Sequence, residues 1–208
     1  MKSPSGKGFM ITIRFRRSFF RRIRVADLVT NKILIATTSL AGCFGCHMSF
    51  LDIDERFFTL CEHVVFDRSP FTDIKHCGEH VDVGLIEGGL CNAENVATLR
   101  EFRHHVKILV AVGACAINGG IPAMRNHIPL KECLEESYLQ AIGIDSPQIP
   151  NDPELPLLLD RVRPIHEVVK VDYFLPGCPP SAEVFWTFLM DLLAARQPQL
   201  PEAQIHYD

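Results

Sequence analysis

The sequence predicts an α/β protein, a doubly wound parallel sheet with helices on both faces. Two observations carry that expectation. Short runs rich in Val, Ile and Leu recur at residues 32–38, 63–67, 81–87, 106–113 and 171–176. Most are continuously apolar rather than alternating, the pattern of strands covered on both sides. Between them lie helix-like stretches at 50–61, 93–105, 130–139 and 181–196, and strand alternating with helix makes βαβ units.

Each element follows from local chemistry. Five strands of this size suggest the flavodoxin-like order 2-1-3-4-5. Ser181 is placed to cap the last helix. His104 and His105 close the second, where cations suit the helix dipole. Residues 143–164 are rich in Pro and Asp and read as an irregular excursion before the fifth strand, the kind of long loop that often carries a binding surface. Residues 32–208 therefore read as one domain, preceded by a basic N-terminal extension over 1–31.

Composition narrows the function. The 208 residues are enough to bury a core, and 47% hydrophobic with 22% charged is an ordinary globular balance. A net charge of −4 gives no argument for nucleic acid. The charge is unevenly placed: residues 1–24 carry eight Lys or Arg and no acid, leaving thirteen basic against twenty-five acidic residues beyond them. That extension reads as a solvated tail or as a docking arm for an acidic partner. Arg16-Arg17-Ser18-Phe19-Phe20 looks like a twin-arginine export signal, but charged Arg22, Arg24 and Asp27 follow instead of an apolar region. No apolar run approaches the roughly 20 residues of a membrane span. Eight cysteines in a chain with an ample core and no convincing secretory signal point to metal or redox chemistry in a reducing cytoplasm, not to disulfides.

Four of those cysteines fall just after strands. Ala41-Gly42-Cys43-Phe44-Gly45-Cys46 follows the first, Val112-Gly113-Ala114-Cys115 the fourth, and Pro176-Gly177-Cys178-Pro179-Pro180 the fifth. Loops after parallel strands gather at one edge of the sheet, where ligands bind. Four converging thiolates suit a [4Fe–4S] cluster, one per iron. Gly42, Gly45, Gly113 and Gly177 allow tight turns and leave N–H groups free to approach sulfur. A structural zinc site stays open on residues alone, although zinc more often pairs two CxxC units. Cys61 and Cys133 read as small apolar residues on helices. Cys77 and Cys91 are unassigned, Cys91 lying close after the third strand. Glu87 ends that strand, and a carboxylate there is costly unless paired; it caps nearby N–H groups or orders the cluster pocket. Asp52, Asp54 and Glu55 read as a solvated helix face. The nine histidines show no metal-binding spacing and are structural by default, with His47 able to face a cluster.

The motifs Cys43-Phe44-Gly45-Cys46-His47-Met48, Ile86-Glu87-Gly88-Gly89, Gly113-Ala114-Cys115-Ala116-Ile117-Asn118-Gly119-Gly120 and Leu175-Pro176-Gly177-Cys178-Pro179-Pro180-Ser181, in this order, resemble the small subunit of [NiFe] hydrogenases. The resemblance runs over about residues 32–196. It implies that Cys43, Cys46, Cys115 and Cys178 hold a proximal [4Fe–4S] cluster that takes electrons from a Ni–Fe centre in a separate large subunit. No cysteine follows Cys178, so the chain is similar to the one-cluster form of the cytoplasmic NAD-reducing enzymes, whose diaphorase flavin and Fe–S subunits carry electrons to NAD⁺. Two positions after the CxxC, many relatives have an acid and this chain has Met48, which leaves any proton-relay role there in doubt. The related subunit of respiratory complex I has adjacent cysteines in place of Cys43-x-x-Cys46, which argues against that reading. An FMN-binding electron carrier is the alternative the fold allows at the same edge, but the first loop is the CxxC and not a hydroxyl-rich phosphate loop. The expected partner interface comprises the CxxC loop, residues 119–124 and the PGCPP loop.

Overall fold

A computed structural model describes residues 32–200 and Glu202, so the basic extension expected over 1–31 lies outside the described residues. The described residues form seven strands: β1 (Ile33–Ser39), β2 (Val64–Phe66), β3 (Val81–Glu87), β4 (Leu90–Asn92), β5 (Val106–Val112), β6 (Leu158–Arg163) and β7 (Tyr173–Leu175). Five form a parallel sheet in the order β2-β1-β3-β5-β7, and β4 pairs with β6 in a separate antiparallel ribbon. Counted along the main sheet alone, this is the expected order 2-1-3-4-5.

Successive residues of each strand serve opposite faces, because side chains alternate across a pleat. Ile35, Leu85, Val110 and Val112 join one core with Phe50, Leu60, Val184, Phe185 and Phe188. Those partners come from α1 (Gly45–Leu51), α2 (Arg56–His63) and α6 (Ala182–Leu193). Ala36, Ile86, Leu109 and Ala111 join the other core with Leu99, Phe102 and Ala116, from α3 (Ala93–His105) and α4 (Gly113–Asn118). Each fully buried Phe contributes on the order of 1.5–3 kcal/mol. The last helix of the chain's middle, α5 (Leu130–Tyr138), has no buried residue.

β1 connects outward to β2, and the chain then returns to β3 on β1's other flank. The strand order reverses between β1 and β3, and the crevice beyond a reversal point is where such sheets bind ligands. Here the two loops are joined by backbone: Ala41 N–H donates to Gly89 O (3.0 Å) and Gly89 N–H to Ala41 O (2.7 Å).

Three details differ from expectation. The helix expected over 50–61 is two, since Asp54 takes a left-handed φ of 55° between α1 and α2. Asp52, Asp54 and Glu55 thus form an exposed turn, not a helix face. The excursion over 143–164 is not wholly irregular, because its end forms β6. The carboxamide of Asn126 stands in for a neighbouring strand, donating to Val162 O (2.8 Å) and accepting from Val162 N–H (2.7 Å). The short helix α4, which begins at Gly113, and the strand β4 also have no expected counterpart.

Candidate metal centre

The four singled-out cysteines all lie at the C-terminal edge of the main sheet. Cys43 and Cys46 enter α1 after β1, Cys115 lies in α4 after β5, and Cys178 follows β7. Backbone and side-chain ties bind these loops to each other as well as to the sheet. Ala114 N–H donates to Gly177 O (2.8 Å), joining the Cys115 and Cys178 loops. Ser49 Oγ donates to Pro180 O (2.6 Å), joining α1 to the same loop. The Cys178–Pro179 bond is cis.

Electrostatics place the four thiols in one neighbourhood. Burial pushes the Cys46 thiol far up, and the negative charges of Glu87, Cys115 and Cys43 push it further. Cys115 is also raised, first by burial; a backbone hydrogen bond from Ile121 opposes this, and Cys178, Cys43 and Glu87 add to it. Thiolates that disfavour one another need a cationic body among them, which polynuclear iron supplies. Among the described residues, no three His, Cys, Asp or Glu close on a single ion position. Four neighbouring thiols are the number that a [4Fe–4S] cluster takes, one thiolate per iron. The donor set therefore fits a [4Fe–4S] group. Cys43 and Cys178 are exposed while Cys46 and Cys115 are half-buried, so the site lies at the surface.

The glycines divide into separate roles. Gly113 holds φ 77°, and a Cβ there would overlap Cys46 Sγ. Gly177 also has positive φ, at 146°. Gly42 and Gly45 do not, contrary to the expectation that they make the turn. Phe44 makes it instead, with φ 67°. Gly42 is needed for space, since a Cβ would lie 3.4 Å from Gly88 Cα. Gly45 N–H donates to Cys43 Sγ at 3.3 Å. Gly120 has a role the sequence did not reveal: a Cβ there would sit 2.8 Å from Cys115 Sγ.

Glu87 is buried. One carboxylate oxygen accepts from Cys46 N–H (3.0 Å) and the other lies 2.8 Å from His47 Nδ1. Burial alone would raise its pKa, but hydrogen bonds from His47, Ser39 and Cys46 and the adjacent imidazole outweigh that and hold it below the usual carboxylate range. Glu87 thus orders the CxxC turn, as the sequence suggested. His47, which the sequence left structural or facing a cluster, is buried beside it. Thr37 and Ser69, also buried there, carried no sequence signal beyond hydroxyls next to apolar runs.

The other cysteines stand apart. Cys91 lies in β4 and its thiol is 3.3 Å from Asn95 Oδ1. Cys77 is half-buried against the second core. Cys61 and Cys133 are half-buried on α2 and α5, less enclosed than small core residues would be.

Residues 43–192, which contain all four site cysteines, match the family described as NADH ubiquinone oxidoreductase, 20 Kd subunit. The chain belongs to this family. Hydrogenase subunits are among its similar sequences. The NAD-reducing hydrogenase HoxS subunit delta of Cupriavidus necator is 46% identical over 86% of this chain and 87% of its own length. A subunit of the F420-non-reducing hydrogenase of Methanothermobacter thermautotrophicus is 38% identical over 85% of this chain, which spans 58% of that relative. Among solved structures, an NAD⁺-reducing [NiFe]-hydrogenase in the H₂-reduced state contains a chain 59% identical, with a TM-score of 0.83, covering 86% of this chain and 100% of that one. The Ni–Fe–Se hydrogenase of Desulfomicrobium baculatum, 16% identical with a TM-score of 0.52, shares the fold.

Proposed function

We propose that this chain is the electron-relay small subunit of an NAD-reducing [NiFe] hydrogenase, in which Cys43, Cys46, Cys115 and Cys178 hold one [4Fe–4S] cluster. The observation that carries the reading is the meeting of four cysteines from three separate loops at one sheet edge, on a chain 46% identical to a subunit of that enzyme class. When bound, the cluster accepts and releases single electrons. The chain's own residues hold and tune it. N–H groups of Gly45 and Ile121 donate to the Cys43 and Cys115 sulfurs, bonds that favour the more negative, reduced form. The glycines keep side chains out of the space beside Cys46 and Cys115.

The donor is a Ni–Fe centre in a large-subunit partner, and diaphorase flavin and Fe–S subunits pass the electrons on to NAD⁺ in the cytoplasm. Exposed apolar side chains border the cysteines: Met48, Ile121 and Met124 are 55%, 64% and 70% exposed. A partner covering residues 119–124, the CxxC loop and the PGCPP loop would bury them. The CxxC occupies the place a flavin phosphate loop would need, which supports a cluster over FMN at this edge.

The test is metal analysis of the natively purified complex. About four iron and four labile sulfide per copy of this chain are expected beyond those of the other subunits. Cys178→Ser should remove that increment and H₂-dependent NAD⁺ reduction together. A Cys178→Ser complex retaining both would overturn the assignment, and acid-released FMN from this subunit with no iron would favour the flavin carrier.

A further inference from the structure

Beneath the CxxC turn lies a row of polar side chains cut off from water. Thr37, His47, Ser69 and Glu87 are 1%, 5%, 4% and 4% exposed, and each comes from a different part of the chain. Ser69 Oγ and Thr37 Oγ1 are 2.8 Å apart, Thr37 Oγ1 and His47 Nε2 3.0 Å, and His47 Nδ1 and Glu87 Oε1 2.8 Å. Glu87 Oε2 then accepts from the N–H of Cys46 at 3.0 Å.

Donor and acceptor counting fixes the end of the row. An ionised carboxylate only accepts, so Nδ1 of His47 donates to Glu87. Ser69 Oγ accepts from Phe71 N–H (3.2 Å) and shares a hydrogen bond with the Thr37 hydroxyl, which in turn meets Nε2 at the far side of the ring. The row ends on Glu87, and such chains strengthen one another in a dry interior. The imidazole has little freedom to leave. Phe44 stacks on it at 4.7 Å and 5°, and Phe71 meets its edge at 5.5 Å and 71°.

We propose that His47 is a positioning residue for the cluster site. It holds the Glu87 carboxylate on the Cys46 N–H, so that the CxxC turn keeps one conformation and a fixed negative charge stands beside the Cys46 sulfur. The inference rests on the cluster assignment made above. A negative charge beside the site opposes an added electron, so the row keeps the cluster harder to reduce. Its far end, Thr37 and Ser69, holds the ring plane of His47 through the contact of Thr37 Oγ1 with Nε2.

Two near-isosteres separate orientation from bulk. Asn at position 47 places an amide nitrogen where Nδ1 stands and keeps the donor to Glu87. Gln places its terminal group near Nε2 and keeps only the contact to Thr37. The assay is an EPR-monitored redox titration of the purified native complex, with iron counted per chain. His47→Asn, which keeps the donor to Glu87 and loses the contact to Thr37, should shift the midpoint no more than Thr37→Val does and clearly less than His47→Gln. His47→Gln should move the one-electron reduction equilibrium at least about threefold toward the reduced form, ~28 mV for one electron, with altered g-values. Thr37→Val, which leaves His47, Glu87 and every cysteine in place, should shift it in the same direction by less, and it decides the matter if His47→Gln fails to assemble. Wild-type midpoint and g-values in both His47→Gln and Thr37→Val would overturn the role, as would a His47→Asn shift equal to that of His47→Gln. A wild-type complex with no iron signal from this subunit would instead refute the cluster assignment, and the inference with it.

Discussion

Replacing Gly113 by alanine should empty the cluster site while leaving the rest of the sheet folded. Two costs add at this position. The residue holds φ 77°, a region that costs a side-chain-bearing residue roughly 1–2 kcal/mol. The new Cβ would also overlap Cys46 Sγ, and forcing an extra carbon into packed surroundings costs roughly 1–3 kcal/mol more. Gly143 provides the internal control. It has φ 85° with nothing within 4 Å of a built Cβ, so Gly143→Ala pays the backbone cost alone. The difference between the two variants isolates the contact with the sulfur. Iron per chain and the cluster's EPR intensity in the purified complex are the readouts. Gly143→Ala should keep both, with a melting temperature lower by a few degrees, whereas Gly113→Ala should lose most of its iron because the Cys46 sulfur must move. Equal iron in the two variants would show that the space at Gly113 is not what seats Cys46, and the steric reading of this edge would be wrong.

Three further perturbations test the frame around the site. Gly84→Ala puts a Cβ 2.5 Å from Phe102 Cε1 and 2.8 Å from Val106 Cγ1; it should destabilise the sheet by about 1–3 kcal/mol, read by denaturant unfolding, with wild-type stability counting against the packing. Asn126→Ala removes both hydrogen bonds to the Val162 backbone; hydrogen exchange should quicken at 158–163 and not at 106–112, at a cost of about 1–3 kcal/mol. Cys61→Ala and Cys133→Ala, on helices away from the sheet edge, should leave iron content unchanged, and a loss of iron in either would show that the four-cysteine set is drawn wrongly.

Much of the frame was legible because local and global signals agree. The expected ranges 81–87 and 93–105 coincide with β3 and α3. In α3 the agreement has visible causes: the Asn92 side chain accepts from Asn95 N–H at one end, and Arg103, His104 and His105 close the other. The four cysteines were legible for a topological reason, since loops after parallel strands share an edge. What escaped depends on distant partners. β6 is short and charged, and it is a strand only because β4 and the Asn126 carboxamide pair with it. The break between α1 and α2 turns on one left-handed residue, Asp54. Ser69 and Thr37 are 32 positions apart in the sequence, and no spacing rule joins two hydroxyls across that distance. His47 reads as structural in the sequence because a single histidine carries no pattern, and its partners Glu87, Thr37 and Phe44 meet it only in the fold.

Hydrogen bonds that involve no cysteine side chain also organise the edge. Ala41 with Gly89, Ala114 with Gly177 and Ser49 with Pro180 tie the three cysteine loops to one another and to the loop after β3. None of these ties uses a cysteine side chain. Groups fixed in this way need little rearrangement when charge arrives or leaves, as the proposed electron-relay role requires. The thiols themselves pull the other way: Cys46 and Cys115 are both pushed up by burial and by neighbouring negative charge. The tied backbone thus holds together sulfurs whose thiolates would repel, and a cationic group bound among them would relieve that opposition. Under the proposed assignment, cluster binding and ordering of this edge would be linked equilibria.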